Sequence, residues 1–171
     1  MTKEEVITFN KDNFYIGISK NGYGWTHFAK KAFNPSDKVA MGFGKLIDHQ
    51  TSHCSIQIGH HKHFLPTKWT GKYWNHSCNP NTYINTEKNG FPSLCALRKI
   101  KKDEEITYAY WMSENEWIKN ADETHTQCKC GGKDCKGKIL SFSQLSKRKQ
   151  STIKKMRICS KYLLTQKLRV E

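Results

Sequence analysis

Three cysteines within eight residues carry the most specific chemistry in this chain. Cys128-x-Cys130-x4-Cys135 encloses Gly131 and Gly132. Thiolates are soft ligands suited to zinc, and glycines let a short loop wrap until its sulfurs converge. A structural zinc site closes at four ligands, so one more must come from elsewhere. His125 and Cys159 are near in sequence, and Cys78 lies far upstream. Cys54 and Cys95 fall in apolar strand patterns and read as small core residues. Seven cysteines, odd in number and unevenly spaced, point to metal rather than a disulfide framework.

Cys78 belongs to a second unusual stretch, Lys72-Tyr73-Trp74-Asn75-His76-Ser77-Cys78-Asn79-Pro80-Asn81. Its Asn-Pro-Asn end reads as a turn, because proline fixes φ and asparagine tolerates the left-handed region. Neither Asn75, His76 nor Cys78 is needed for such a turn. Tyr108 and Tyr110 share one face of a strand read over residues 106–111. Residues 19–25 form a glycine-bearing turn at which a ligand can approach the backbone, although a plain hairpin turn is the better explanation of a bare Gly-x-Gly. His60, His61 and His63 invite a metal reading, yet neighbours on a strand face opposite ways, so a turn and strand start is the better description.

The elements that position these residues read as short strands with turn punctuation. Residues 6–18 alternate loosely and predict one or two strands. Further strands are expected at 27–29, 39–41, 54–58 and 94–97, with a turn at residues 34–37. A short helix is predicted at 113–120, with Ser113 as N-cap and Glu116 completing a capping box. A basic amphipathic helix is predicted over 151–168, with Ile153, Met156, Leu163 and Leu164 as apolar points. Little helix before residue 113 makes the chain a β-rich α+β protein.

At 171 residues, a single domain with a small appendage is expected. No apolar run has the length that crosses a membrane, and residues 1–5 lack the apolar stretch of a signal peptide. A reducing, intracellular setting and no membrane partner are therefore expected. Net charge is +14, and residues 147–171 hold nine basic residues and one acidic one. Such a segment either binds phosphate or an acidic surface, or is a solvated helix face.

In this order, Asn75-His76-Ser77-Cys78-Asn79-Pro80-Asn81, Glu104-Glu105-Ile106-Thr107-Tyr108-Ala109-Tyr110 and the cysteine triad resemble the SET-domain protein lysine methyltransferases that carry a post-SET zinc motif. Residues 19–29 resemble that family's first motif. Cys135-Lys136-Gly137 followed by Ser141-Phe142-Ser143-Gln144-Leu145 is similar to the ending of small stand-alone members. Two departures stand out: Lys72 replaces an arginine, losing the guanidinium fork, and Trp74 replaces an aliphatic residue.

The resemblance implies small curved β-sheets with a knot-like threaded C-terminal segment, a post-SET zinc loop and a C-terminal helix. Its divisions are a SET domain over 1–115, a post-SET segment over 116–140 and a basic extension over 141–171. It further implies that S-adenosylmethionine sits against Tyr23, Gly24, Trp25, Asn75 and His76, with Ile139 or Leu140 against the adenine. Cys78 becomes the fourth zinc ligand beside Cys128, Cys130 and Cys135. Tyr110 orients an incoming lysine amine, Tyr108 limits the product to mono- or dimethyl-lysine, and Tyr83 lines the channel or serves the fold. The implied substrate is a histone tail or another basic protein, handled by a monomer. The basic C-terminal segment is a possible nucleic-acid contact. The expected place of action is the nucleus or chromatin if the source is a eukaryote or the target a host, and the cytoplasm otherwise. The competing expectation is a catalytically weak zinc module that binds nucleic acid or a protein.

Overall fold

Of residues 6–18, whose loose alternation predicts one or two strands, 14–18 form a strand and 6–13 belong to a helix. The structure, a computed structural model, describes residues 2–52, 54–67, 69–117, 126–133 and 135–166. Helix α1 spans Lys3–Asn13 and opens on a reciprocal cap. The Thr2 hydroxyl accepts from the Glu5 N–H at 3.2 Å, and the Glu5 carboxylate accepts from the Thr2 N–H at 2.7 Å. Its buried residues are Val6, Asn10 and Asn13. The helical period is thus carried largely by amides, which a count of apolar residues misses. Asn10 docks the helix on its neighbour: its Nδ2 donates to the Met41 carbonyl at 2.7 Å and its Oδ1 accepts from the Met41 N–H at 2.9 Å.

Among the described residues the strands form three small sheets. The first holds β1 (Phe14–Ile18), β2 (Trp25–Ala29), β10 (Glu105–Tyr108) and β7 (Asn75–His76), adjacent in that order. The second runs β3 (Lys38–Met41), β9 (Pro92–Ala96), β8 (Thr82–Thr86), and the third β4 (Gly44–Ile47), β6 (Lys62–Pro66), β5 (Ile56–Gly59). All neighbours are antiparallel except β7 and β10, which run parallel with Asn75 opposite Thr107 and His76 opposite Tyr108. The β-rich expectation holds. The strand expected over 106–111 ends at Tyr108, and Tyr110–Met112 is a 3-10 turn. Likewise β5 begins at Ile56, leaving Cys54 half-buried outside it.

One apolar core serves all three sheets and the C-terminal segment. Phe14, Phe64, Ile84 and Ile106 share it with Phe142, Ile153, Cys159 and Leu163. Truncating a buried phenylalanine such as Phe142 to alanine costs about 3–5 kcal/mol. The helix predicted over 151–168 is instead two. Helix α2 spans Lys147–Met156 and stops where Arg157 turns left-handed at φ 56°; α3 spans Lys161–Thr165. Between them the Ser160 N–H donates to the Met112 carbonyl at 2.7 Å, and Cys159 is buried. The break lets Ile153 and Leu163 reach the core from separate helices, while Met156 stays 59% exposed. Residues 167 and 168 lie outside the described residues.

The helix predicted at 113–120 is absent from 113–117, and 118–120 lie outside the described residues. Here the backbone pairs across instead: the Phe142 N–H donates to the Glu114 carbonyl at 2.7 Å and the Ser143 N–H to that of Asn115 at 3.1 Å. Glu114 is buried rather than exposed at a first helical turn.

His27 on β2 is fully buried, its ring stacked on Phe14 with centroids 4.0 Å apart. Burial pushes its pKa down from 6.5 to about 3. The folded state keeps this imidazole neutral while the unfolded chain protonates at the ordinary value. The stability it lends is therefore complete above pH 6.5 and is lost as pH falls from there toward 3, at up to about 1.4 kcal/mol per pH unit. Urea unfolding at pH 7.5, 6.0 and 5.0 should show a midpoint that drops with acidity. His27→Phe, if it folds, should flatten that dependence.

Candidate active site and cysteine cluster

The sulfurs of Cys78, Cys128, Cys130 and Cys135 all lie within 4.8 Å of one another. Those of Cys78 and Cys128 are 3.7 Å apart, and a tetrahedral zinc with bonds of about 2.3 Å sets its sulfurs about 3.8 Å apart. Cys159 lies in the core, and His125 is outside the described residues. The loop carrying the triad is pinned by the Cys128 N–H to the Gly137 carbonyl at 2.9 Å and the Cys135 N–H to that of Gly132 at 3.0 Å. Gly131 takes φ 66° there, and a Cβ on it would meet the Asn21 side chain at 3.5 Å.

Donors surround the cluster. The Cys78 N–H points at the Cys130 sulfur at 3.5 Å and the Gly137 N–H at that of Cys135 at 3.4 Å. The Tyr23 hydroxyl lies 3.4 Å from the Cys128 sulfur while accepting from the Lys129 N–H at 2.7 Å. Burial pushes the Cys78 thiol up, and Cys128 beside it adds to the shift. Sulfurs this close resist ionising together, and a bound divalent cation removes that penalty. The donor set fits a metal that prefers thiolates.

Cys78 connects to Tyr110 through His76. The His76 Nδ1 accepts from the Tyr110 N–H at 3.1 Å, and its Nε2 lies 3.4 Å from the Cys78 sulfur. Burial, with the Lys149 charge behind it, pushes the His76 pKa down to about 4, so the ring is neutral at pH 7. With Nδ1 accepting, the single ring proton sits on Nε2, facing sulfur. His76 is buried, so its side chain joins neighbours rather than facing solvent.

Beside it, Asn75 Nδ2 donates to the Trp25 carbonyl at 3.1 Å. This bond ties β7 to the glycine-bearing turn, where the Ser19 N–H reaches the Gly24 carbonyl at 2.8 Å and Gly24 takes φ 77°. Trp25 is 53% exposed and Leu140 37%, whereas Ile139 is buried. Tyr23, through Cys128 and Lys129, and Asn75, through Trp25, therefore link the turn to the cysteine loop and to β7. The structure thus brings Tyr23, Gly24, Trp25 and Asn75 together with the cysteine loop, while the His76 side chain points inward.

Tyr108 and Tyr110 have ring centroids 5.2 Å apart, although only Tyr108 is in the strand. The Tyr110 hydroxyl donates to the Trp74 carbonyl at 3.3 Å, and its ring lies 6.4 Å from that of Trp117. Burial pushes the Tyr110 phenol well up, with Cys54 and Glu114 adding, so it stays protonated at neutral pH. Tyr83 stands on β8 opposite Cys95. Trp74 is buried with its ring edge-on to Tyr108, and the Lys72 ammonium lies 5.7 Å over the Tyr73 ring.

On the Trp117 side a groove of about 1440 Å³ opens, lined by Gln57, His60 and His61, by Asn115 and Trp117, and by Phe142 onward into α2. Glu114 joins these segments. Its Oε1 accepts from the Gln57 N–H and the Ser113 hydroxyl, both at 3.0 Å. The Asn115 N–H returns a bond to the Gln57 side chain at 2.9 Å. Burial raises the Glu114 pKa to about 7 against the pull of these donors.

Sequence reading passed over Glu114 and Asn81. Asn81, taken as a turn residue, is buried and edges β10. Its Nδ2 donates to the Glu105 carbonyl at 2.7 Å and to Glu104 at 3.0 Å, and its Oδ1 accepts from the Thr107 N–H at 2.9 Å. A polar residue closing a conspicuous motif was the available signal.

Comparison with known proteins gives a family and several relatives. The SET domain family matches residues 7–111. A Xenopus tropicalis protein named histone-lysine N-methyltransferase SETDB2 is 28% identical over 121 residues, 63% of this chain and 17% of its own length. Proteins of Emericella nidulans and Aspergillus oryzae, each named histone-lysine N-methyltransferase, H3 lysine-4 specific, are 39% identical over 69 residues. Those matches span 39% of this chain and 5% of each fungal protein. A solved Plasmodium falciparum structure named for a histone methyltransferase aligns at 24% identity and a TM-score of 0.47, over 56% of this chain and 90% of its own. With the family matching most of residues 1–115 and the tyrosine pair, Asn75 and His76 lying inside the match, the chain belongs to the SET-domain family.

Proposed function

We propose that this chain is an S-adenosylmethionine-dependent protein-lysine N-methyltransferase acting on a histone tail or a similar basic protein, in the nucleus or on chromatin. One observation carries the reading. Tyr110 stands between two sites, tied through His76 to the cysteine cluster and meeting through Trp117 the open groove. The names of the relatives support the substrate class.

Tyr23, Gly24, Trp25, Asn75, His76, Ile139 and Leu140 would hold the cofactor, and Cys78, Cys128, Cys130 and Cys135 a zinc ion that closes residues 116–140 over it. Residues 1–115 form the catalytic unit and 141–171 a basic extension. The parallel pairing of β10 with β7 supports a threaded C-terminal segment. When bound, the cofactor would supply a sulfonium methyl group, which passes to an amine aligned with the S–CH3 bond as the sulfur leaves as a neutral thioether. The chain's task is to bring that amine in neutral and aligned. A free lysine amine has a pKa of about 10.4, and the aromatic surroundings of Tyr108, Tyr110 and Trp117 disfavour its ammonium form, so the proton leaves to water. Tyr110, held protonated and fixed through its main chain, orients the amine, and alignment of this kind supplies much of the barrier reduction. The Tyr108 hydroxyl takes room beside it, limiting the product to mono- or dimethyl-lysine.

Labelled cofactor with a histone panel should show transfer by the wild type. Tyr110→Phe should lower it roughly 100-fold, the scale of losing one positioned hydroxyl. Tyr108→Phe should move the product masses toward trimethyl-lysine. Wild-type protein that methylates nothing, itself included, would leave a binding module as the reading. Cys78→Ser should lose metal, measured by mass spectrometry of the ion, together with cofactor affinity. Retained metal in that variant would make zinc independent of the cofactor pocket. Glu114→Ala should raise the acceptor KM roughly tenfold or more, the scale of losing bonds to a carboxylate. Cofactor Kd should stay unchanged, and Glu114→Gln, which keeps an acceptor for the Gln57 N–H, should restore most of the loss.

A further inference from the structure

Helix α2 presents three faces, and each has different work. Toward the core it buries Ile153 and lays Lys149 over the Trp111 ring at 5.4 Å. Toward the groove it contributes Lys147, Gln150 and Lys154. The remaining face carries Arg148, Ser151 and Lys155, all exposed. Arg148 and Lys155 are seven residues apart, two helical turns or about 10.5 Å along the axis. Exposed Arg157 and Lys161 extend the same charge past the end of the helix.

Residues 141–166 hold seven Lys and Arg and no Asp or Glu. Lys161 acts on the Glu87 carboxyl, and Lys147 and Lys154 share the groove with Glu116, whereas Arg148 and Lys155 lie exposed on the outer face. Lys147, Arg148 and Lys149 occupy the first turn, where the helix dipole disfavours cations and no acid offsets them. A face whose charged residues are all cationic suits a polyanion. Membrane attachment needs a free apolar face, but Ile153 is already in the core and Met156 alone is left outside.

We propose that the outer face of α2, through Arg148 and Lys155, binds the phosphate backbone of duplex DNA, so that the substrate is a lysine segment presented on DNA to the groove along the same helix. The substrate clause rests on the methyltransferase reading; the DNA contact does not. Phosphate contacts position without reading sequence, and each neutralised phosphate steepens the salt dependence of binding. The arrangement also answers the charge problem of a cationic enzyme and a cationic tail, since the duplex between them carries the opposite sign.

The test uses the full chain and a fluorescein-labelled 20-base-pair duplex of mixed sequence, read by anisotropy from 50 to 200 mM salt without methyl donor. Wild type should bind, and Arg148→Ala/Lys155→Ala should lose about 2 from the slope of log affinity against log salt. Lys45→Ala/Lys62→Ala, exposed on β4 and β6, should keep the wild-type slope. No wild-type binding at 50 mM salt, or an unchanged slope in the α2 variant, overturns the proposal. So does equal displacement of the duplex by poly-glutamate at matched charge. In a second arm, transfer to nucleosomes relative to free tail peptide should fall in the α2 variant; an unchanged ratio overturns the substrate clause. Absent transfer to peptide and nucleosome alike in wild type would overturn the methyltransferase reading and the substrate clause resting on it, leaving the DNA contact to the first arm.

Discussion

The two-residue parallel pairing of β7 with β10 is the constraint on which the site depends. It is too short to persist on its own ladder bonds, and side chains, with one further main-chain bond, extend it at both ends. Below, Asn81 supplies amide partners to the β10 main chain at Glu105 and Thr107. Above, the Ser77 N–H donates to the Tyr108 carbonyl at 3.1 Å, and the His76 ring accepts the Tyr110 N–H. The main chain of β10 is therefore satisfied along its edge without a full-length partner strand, leaving Tyr110 free to turn out of the sheet. A neutral imidazole is essential here, because a protonated one offers no acceptor to the Tyr110 amide.

That imidazole also couples two chemistries that could have been separate. Its remaining N–H faces Cys78, so the position of the cysteine cluster and that of the tyrosine are set by one ring. The cluster further grips Tyr23 on the glycine-bearing turn, and Asn75 grips the carbonyl of Trp25. Loop, turn and strand consequently support one another through polar contacts. The larger stabilisation comes from the core beneath, shared by all three sheets and by α2 and α3.

The site was largely legible in the sequence because its residues are chemically conspicuous. Cysteine spacing, an Asn-His pair beside a proline turn, and two tyrosines one residue apart name their own donor atoms. What escaped was polar structure built from ordinary residues. Helix α1 hides its period in the buried Asn10 and Asn13, and the Asn10 amide docks where a leucine would have been noticed. The stretch after Tyr110 offers Ser113 and Glu116 as a capping pattern, yet Glu114 turns inward and the backbone pairs with residues 142–143. The C-terminal helices share one apolar period on paper, and residues 157–160, beginning with the left-handed Arg157, separate them. In each case a long-range partner overrode a local preference, and a single chain without its contacts cannot display that.

The third sheet has a consequence for how such a protein can change. Among the described residues strands β4, β6 and β5 pair only with one another, and β5 meets the segment after Tyr110 through the reciprocal Gln57–Glu114–Asn115 bonds. Register within the sheet is thus set internally, and part of its attachment runs through a handful of polar atoms. Changes at its exposed positions, Lys45 and Lys62 among them, can accordingly be absorbed as long as Ile56 and Phe64 stay in the core and an acceptor remains for the Gln57 N–H. The part of the groove wall formed by His60 and His61, in the turn between β5 and β6, is thereby separable from the segment that holds Tyr110.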